Sequence, residues 1–223
     1  MALLRASASA VLPPGTVERL PRFYRPLRTA TRRLLGRWFD LSVTGLEQLP
    51  RRGGYIVAAN HHNYLDGIVL GAALPRPVSF LVMPRVYHAT VLHPLFHRWA
   101  RTIQLNVERA DLAAIRQALR VLERSGVVGI FPEGPFSVQG RLERGLPGVG
   151  MLALRSGAPV VPMAIRGTYQ ALVGRRFYLP RFHPLSVHIG APRTFSRTRG
   201  LCDRALREDV TRRIMADIAD LLS

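Results

Sequence analysis

Apolar and polar positions along this chain follow two alternating rhythms. Tyr55-Ile56-Val57-Ala58-Ala59, Val78 to Met83, Val127 to Phe131 and Pro159 to Ile165 are apolar at nearly every position. That is the pattern of strands covered on both faces in a parallel sheet. Phe39 to Thr44, Thr102 to Val107 and Leu185 to Ile189 read as further strands. Between them the apolar spacing shifts to three and four in Ile68 to Leu74, Val86 to Ala100, a segment capped by Asp111 and running to Arg124, Pro147 to Arg155 and Asp203 to Leu222, which predicts helices. Pro50-Arg51-Arg52-Gly53-Gly54 and Ser125-Gly126 are turn signals. Strands and helices in this order predict right-handed crossovers and an α/β fold, a mainly parallel central sheet flanked by helices. At 223 residues the chain suits one such domain, over 40–223, with a terminal extension over 1–39.

The extension has its own pattern. Leu20, Phe23, Tyr24, Leu27, Leu34, Leu35 and Trp38 recur at helical spacing, and seven arginines from Arg19 to Arg37 fill the gaps. A basic amphipathic helix with aromatics on its apolar side suits a membrane interface, where arginines meet anionic headgroups. Pro21 and Pro26 kink or divide it. The same pattern also fits a helix packed on the domain with a solvated basic face; the arginine density favours the interface. The expected placement is peripheral or monotopic, on the cytoplasmic side of the cell membrane.

Charge widens the list of partners before chemistry narrows it. The formal charge is +18 and all 32 basic residues are arginine, which suits polyanions: nucleic acid, anionic lipid or phosphorylated substrates. The arginines are spread along the chain and no zinc-finger or RNA-recognition signature occurs, so no nucleic-acid partner is expected. Cys202 is the single cysteine, which excludes an intrachain disulfide. Met1 to Ala10 lacks the apolar run of a signal peptide, and no stretch is long and apolar enough to span a bilayer. His93 and His97 stand four apart but have no acidic third ligand, so no metal is expected.

The densest chemistry lies at Asn60-His61-His62-Asn63-Tyr64-Leu65-Asp66, between the strand ending at Ala59 and the next helix. Open α/β sheets place ligands outside the carboxyl ends of their strands. His61 and Asp66, five apart, would diverge by roughly 140 degrees on one helix. If the helix starts near Asn63 or Tyr64, however, a carboxylate in its first turn can reach back to one imidazole nitrogen and leave the other free as a base. His62 is the competing base, and Asn60 or Asn63 acting only as a cap is the bland alternative. No Gly-x-Ser-x-Gly elbow is present to suggest a serine hydrolase.

Further blocks stand in order around this one: Val43 to Pro50, Asn106-Val107-Glu108-Arg109, Phe131-Pro132-Glu133-Gly134 and Ala158 to Ile165, centred on Pro162. With the asparagine and histidine followed after four residues by aspartate, the set resembles the glycerolipid acyltransferase family, whose best-known members acylate 1-acylglycerol-3-phosphate. The resemblance implies transfer of a fatty acyl group from an acyl-coenzyme A or acyl-carrier-protein thioester to the hydroxyl of a lysophospholipid. No cofactor is required. It implies His61 as general base, Asp66 as its orienting acid, and Arg109, Glu133, Gly134 and Pro162 at the substrate. A tight turn after a buried strand would equally explain Pro132 and Gly134. Where the family usually continues with Thr-Arg-Ser, this chain has Pro135-Phe136-Ser137, and Leu146 replaces a frequent lysine. Arg141 or Arg144 is the expected substitute for the missing phosphate contacts, and a non-phosphate lyso-lipid or lipid alcohol is the competing acceptor.

Overall fold

The computed structural model describes residues 24–83, 102–105, 112–137, 139–172, 180–198, 200 and 202–223. The expected helix at Val86 to Ala100 with its histidines, the block ending at Arg109, and the chain before Tyr24 lie outside them.

A seven-stranded sheet is built from β1 (Ser42–Thr44), β2 (Tyr55–Ala59), β3 (Val78–Val82), β4 (Ile103–Gln104), β5 (Val127–Ile130), β6 (Val160–Arg166) and β7 (Ser186–Ile189), in the order β1-β7-β6-β2-β5-β3-β4. Every pairing is parallel except β6 with β7. The mainly parallel sheet read from the apolar runs is therefore present, with β2 at its centre between β5 and β6.

Strand period two splits the core between the faces. Tyr55, Val57 and Ala59 of β2 enter one cluster, with Val69, Leu70 and Ala73 of α2 (Leu65–Ala73) and Tyr24, Leu35 and Phe39 of α1 (Tyr24–Phe39). Ile56 and Ala58 point the other way. They meet Ala118 and Leu122 of α3 (Leu112–Glu123), Leu152 of α4 (Gly148–Ser156) and Ile214 and Ile218 of the C-terminal helix α6 (Arg204–Leu222). A short helix, α5 (Thr168–Ala171), follows β6. With helices against both faces, the central strands β2 and β5 are buried at every position, whereas the edge strands β1 and β4 carry exposed polar residues.

One boundary and one helix face differ from the sequence reading. The helical pattern continues through Phe39, whose ring is buried, and Asp40 then turns the chain with φ 45, so β1 starts at Ser42 rather than Phe39. The apolar residues of α1 also do not share one face: Tyr24, Leu35 and Phe39 are buried, whereas Leu27, Leu34 and Trp38 are exposed. None of the described helices is long and apolar enough to cross a membrane.

The carboxyl end of β2 is fastened by a side chain. Asn60, fully buried, donates from Nδ2 to Ile165 O at 2.9 Å and accepts from Ile165 N at 2.7 Å. It extends the β2–β6 pairing by one rung at the point where the backbone leaves the sheet. Buried amide groups that lose their partners cost about 1–3 kcal/mol each. Asn60→Ala, which strands both Ile165 groups, is expected to lower the unfolding free energy by about 2–4 kcal/mol in urea titrations. Asn60→Asp should cost at least as much, since a carboxylate cannot donate to Ile165 O.

Candidate active site

Helix α2 begins at Leu65 because Asn63 turns the chain: its Oδ1 accepts from Leu65 N at 2.9 Å, while its Nδ2 donates to Thr168 O at 2.7 Å. Asn63 is thus a cap as well as a tie to α5. Asp66 falls in the first turn, where a carboxylate suits the free N–H groups of a helix start. Its Oδ2 accepts three hydrogen bonds, from His62 N at 2.6 Å, Asn63 N at 2.8 Å and His61 Nδ1 at 2.9 Å. The five-residue spacing closes because residues 61–64 form a turn rather than helix.

Asp66 is completely buried and the His61 side chain 12% exposed. An ionised carboxylate only accepts, so in the neutral ring Nδ1 carries the proton and Nε2 presents its lone pair. No described residue bonds Nε2. His62 is arranged differently: its ring stands 3.4 Å through Nδ1 from Thr168 Oγ1 and edge-on to Tyr169. Burial pushes its pKa down, against an opposing pull from Asp66 and with a further push from His61. The acid therefore faces the first histidine of the pair.

The Phe131-Pro132-Glu133-Gly134 block grips the backbone of His61 from both sides. Glu133 Oε1 accepts from His61 N at 2.7 Å, and Ser137 N donates to His61 O at 2.8 Å. Oε2 of Glu133 accepts from Glu143 N at 2.8 Å. Both carboxylate oxygens of this 4% exposed residue are thus taken by backbone amides. Glu133, expected at the substrate, thereby positions the backbone of His61. Gly134 adopts φ 80, and a Cβ there would come within 2.7 Å of Leu146 Cδ1. Pro162 belongs to the sheet itself. It lies within β6, buried and paired with Ala58, its ring packed beside Gly190 and Leu221 of α6, whereas Asp66 and α2 cover the opposite face.

Aromatic rings complete the setting. Phe131 stacks on the His61 imidazole at 3.8 Å between centroids and 6°, and Phe136 meets it edge-on at 4.5 Å. Tyr64 in turn meets Phe136 at 4.7 Å. Sequence reasoning treated Phe136 only as a missing charge; its place beside the block was the available signal. Of the two candidate arginines, both are exposed. Arg141 is tied to this loop through Ser137 Oγ, which donates to Arg141 O at 2.6 Å, whereas the charge of Arg144 acts on Glu208 of α6. Arg109 lies outside the described residues.

Burial raises the Glu133 pKa from 4.5 to about 7, against the pull of the Glu143 and His61 amides. Between those two values the carboxyl holds a proton only in the folded chain, so stability falls as pH rises through this window and is level above it. In urea midpoints across this range, wild type should lose on the order of 1–3 kcal/mol through this group. Glu133→Gln keeps one amide bond, is less stable at all pH values and should lack that slope.

A family model described as acyltransferase matches residues 40–166. An uncharacterized protein of Mycobacterium tuberculosis is 30% identical over 168 residues, covering 65% of this chain and 44% of its own length. The chloroplastic 1-acyl-sn-glycerol-3-phosphate acyltransferase of Brassica napus is 25% identical, covering 75% of this chain and 49% of its own. The 1-acyl-sn-glycerol-3-phosphate acyltransferase of Bacillus subtilis is 25% identical, with 57% and 63% covered. The chain spans about half the length of most of these curated relatives. In fold it matches the crystal structure of the 1-acyl-sn-glycerophosphate acyltransferase PlsC from Thermotoga maritima with a TM-score of 0.70, 21% identity, and 90% and 80% of the two chains covered.

Proposed function

This chain belongs to the acyltransferase family, and we propose that it moves a fatty acyl group from a coenzyme A or acyl-carrier-protein thioester to the hydroxyl of a lysophospholipid, 1-acylglycerol-3-phosphate first among them. The observation that carries the reading is His61 Nδ1 held at 2.9 Å by buried Asp66, with Nε2 unbonded by any described residue outside the carboxyl end of β2. Nε2 takes the proton of the acceptor hydroxyl as its oxygen attacks the thioester carbonyl carbon. The carbon–sulfur bond then breaks, and the thiolate leaves with the proton from the imidazolium. Asp66 stabilises the imidazolium in between. The thioester is already reactive, so proton removal and alignment are the protein's main tasks, and no cofactor enters the scheme. General-base assistance is worth about 10²- to 10⁴-fold.

Arg109 is assigned to the acceptor phosphate by family resemblance alone, and the loop-tethered Arg141 is a second candidate for that contact. Gly134 lets the loop pass close to the ligand, and Pro162 shapes the sheet beneath. A second acceptor reading has its own support. Phe136 lies against the imidazole where relatives usually carry arginine, an environment suited to a lipid alcohol without phosphate. The location that fits this reading is a membrane surface, on the side where the cytoplasm lies. Leu34 and Trp38, at 50% and 55% exposure, share a face of α1 with Leu27, and the Trp38 ring is 6.2 Å from that of Phe182, itself 77% exposed. Arg33 and Arg37 flank them, as an interfacial helix requires.

Thiol release from acyl-coenzyme A in the presence of lysophosphatidate tests the proposal. His61→Ala and Asp66→Asn should each lose about 10²-fold or more of turnover. Unfolding curves should stay close to wild type, because the carboxamide oxygen introduced by Asp66→Asn can still accept the amides of His62 and Asn63. Turnover within a few-fold of wild type in both variants overturns the assignment. Equal activity on an acceptor lacking phosphate moves the substrate to the lipid alcohol.

A further inference from the structure

At the opposite end of β2, roughly 13 Å from Ala59 at 3.3 Å per residue, a cavity of about 410 Å³ opens beneath α1. Four of its lining residues are arginines: Arg28 and Arg32 on α1, Arg51 in the turn before β2, and Arg76 before β3. Among the described residues no acidic side chain lines it. Arg28 and Arg32 stand one turn apart, so both project toward the cavity from one side of the helix.

Two buried polar atoms here, Arg28 Nε and Tyr55 Oη, have no partner among the described residues, and Tyr55 is fully buried. Buried donors without acceptors are rare in folded proteins and each costs free energy. Burial lowers the Arg28 pKa; Tyr24 opposes that, and the like charge of Arg32 adds to it. Arg76 acts as a brace, donating to Gly53 O at 2.9 Å and to Ser125 O, with its guanidinium 5.0 Å over the Tyr55 ring. Arg32 and Arg51 make no hydrogen bond or ion pair with any described residue, and both are exposed at the rim. Donors thus converge from the floor and mouth of one concavity, Arg76 aside, with no acceptor for them among the described residues.

We infer that this cavity binds a phosphoryl group, with Arg28 and the Tyr55 hydroxyl donating from the floor and Arg32 and Arg51 closing over it from the rim. Several guanidinium forks around one centre match an anion with several acceptor oxygens better than a single carboxylate. Leu46, Leu49 and Pro75 on the remaining wall suit an apolar group attached to the phosphate, as in a phospholipid headgroup with the start of its glycerol ester. Free phosphate offers the same oxygens without that group. The site is separate from the His61–Asp66 pair and does not rest on the reaction proposed for it.

Hydrogen–deuterium exchange on the full chain, with inorganic phosphate or with phosphatidylcholine vesicles lacking or containing phosphatidic acid, reads the site directly. We expect slower exchange in peptides covering residues 46–55 and 73–78 with a phosphate-bearing probe and none with phosphatidylcholine alone. Protection by inorganic phosphate marks free phosphate as sufficient; protection only by phosphatidic acid marks a lipid headgroup. The variant Arg28→Gln/Arg32→Gln/Arg51→Gln should bind about tenfold more weakly or worse. Arg116→Gln/Arg120→Gln/Arg212→Gln, of the same net charge, should bind as wild type. If the first variant does not fold, Arg32→Gln/Arg51→Gln, confined to exposed positions, takes its place with the same expectation. No protection at these peptides with either probe, or equal weakening in the two charge-matched variants, overturns the assignment.

Discussion

A single carboxylate oxygen, Oδ2 of Asp66, receives two backbone amides and one imidazole nitrogen, and the local geometry follows from that convergence. The amides of His62 and Asn63 belong to the turn that ends β2, so the acid closes the turn and aims the ring in one act. Its other oxygen, Oδ1, is buried without a partner among the described residues, so the charge is directed at this one cluster. In a low-dielectric setting such directed hydrogen bonds are strong, and a ring held by one can accept a proton without reorganising. Glu133 and Ser137 repeat the logic on the backbone of His61, which is fixed at its N–H and its C=O by the loop after β5.

Much of this was readable before any coordinates. Near-continuous apolar runs read as buried strands, and their alternation with helical segments indicated a mainly parallel sheet flanked by helices. The five-residue gap between His61 and Asp66 excluded a continuous helix and required the turn that is found. What the residues could not disclose was mostly backbone hydrogen bonding, which leaves no mark on residue identity. Asn60 reads as a loop asparagine; that its amide continues the β2–β6 ladder depends on where Ile165 ends up. Glu133 reads as a ligand-binding acid, because no pattern announces that the amides of His61 and Glu143 will reach its two oxygens first. The antiparallel return of β7 beside β6, and the parallel seat it gives β1, are long-range pairings that periodicity does not specify.

The arginines show the same limit from the other side. Along α1 they read as one basic stripe, yet the helix divides them. Arg33 and Arg37 flank the exposed apolar residues, whereas Arg28 turns inward to a cavity floor. Helical spacing tells which residues are neighbours but not which neighbour lies against a second element. A surplus of charge that looks uniform in the sequence therefore serves different surroundings one turn apart.

The strand glycine at 129 carries an influence that its lack of a side chain conceals. A Cβ at Gly129 would lie 2.6 Å from the Phe80 ring on the adjacent strand. Phe80 lies parallel to Phe131 at 5.9 Å, and Phe131 lies parallel to the His61 imidazole. Three flat groups are thereby collated like pages, and the spine of that small book is a hydrogen atom on β5. One methyl group added there would displace the first page and pass the shift to the last, so the tilt of the proton-accepting ring is set in part by an atom with no chemistry of its own.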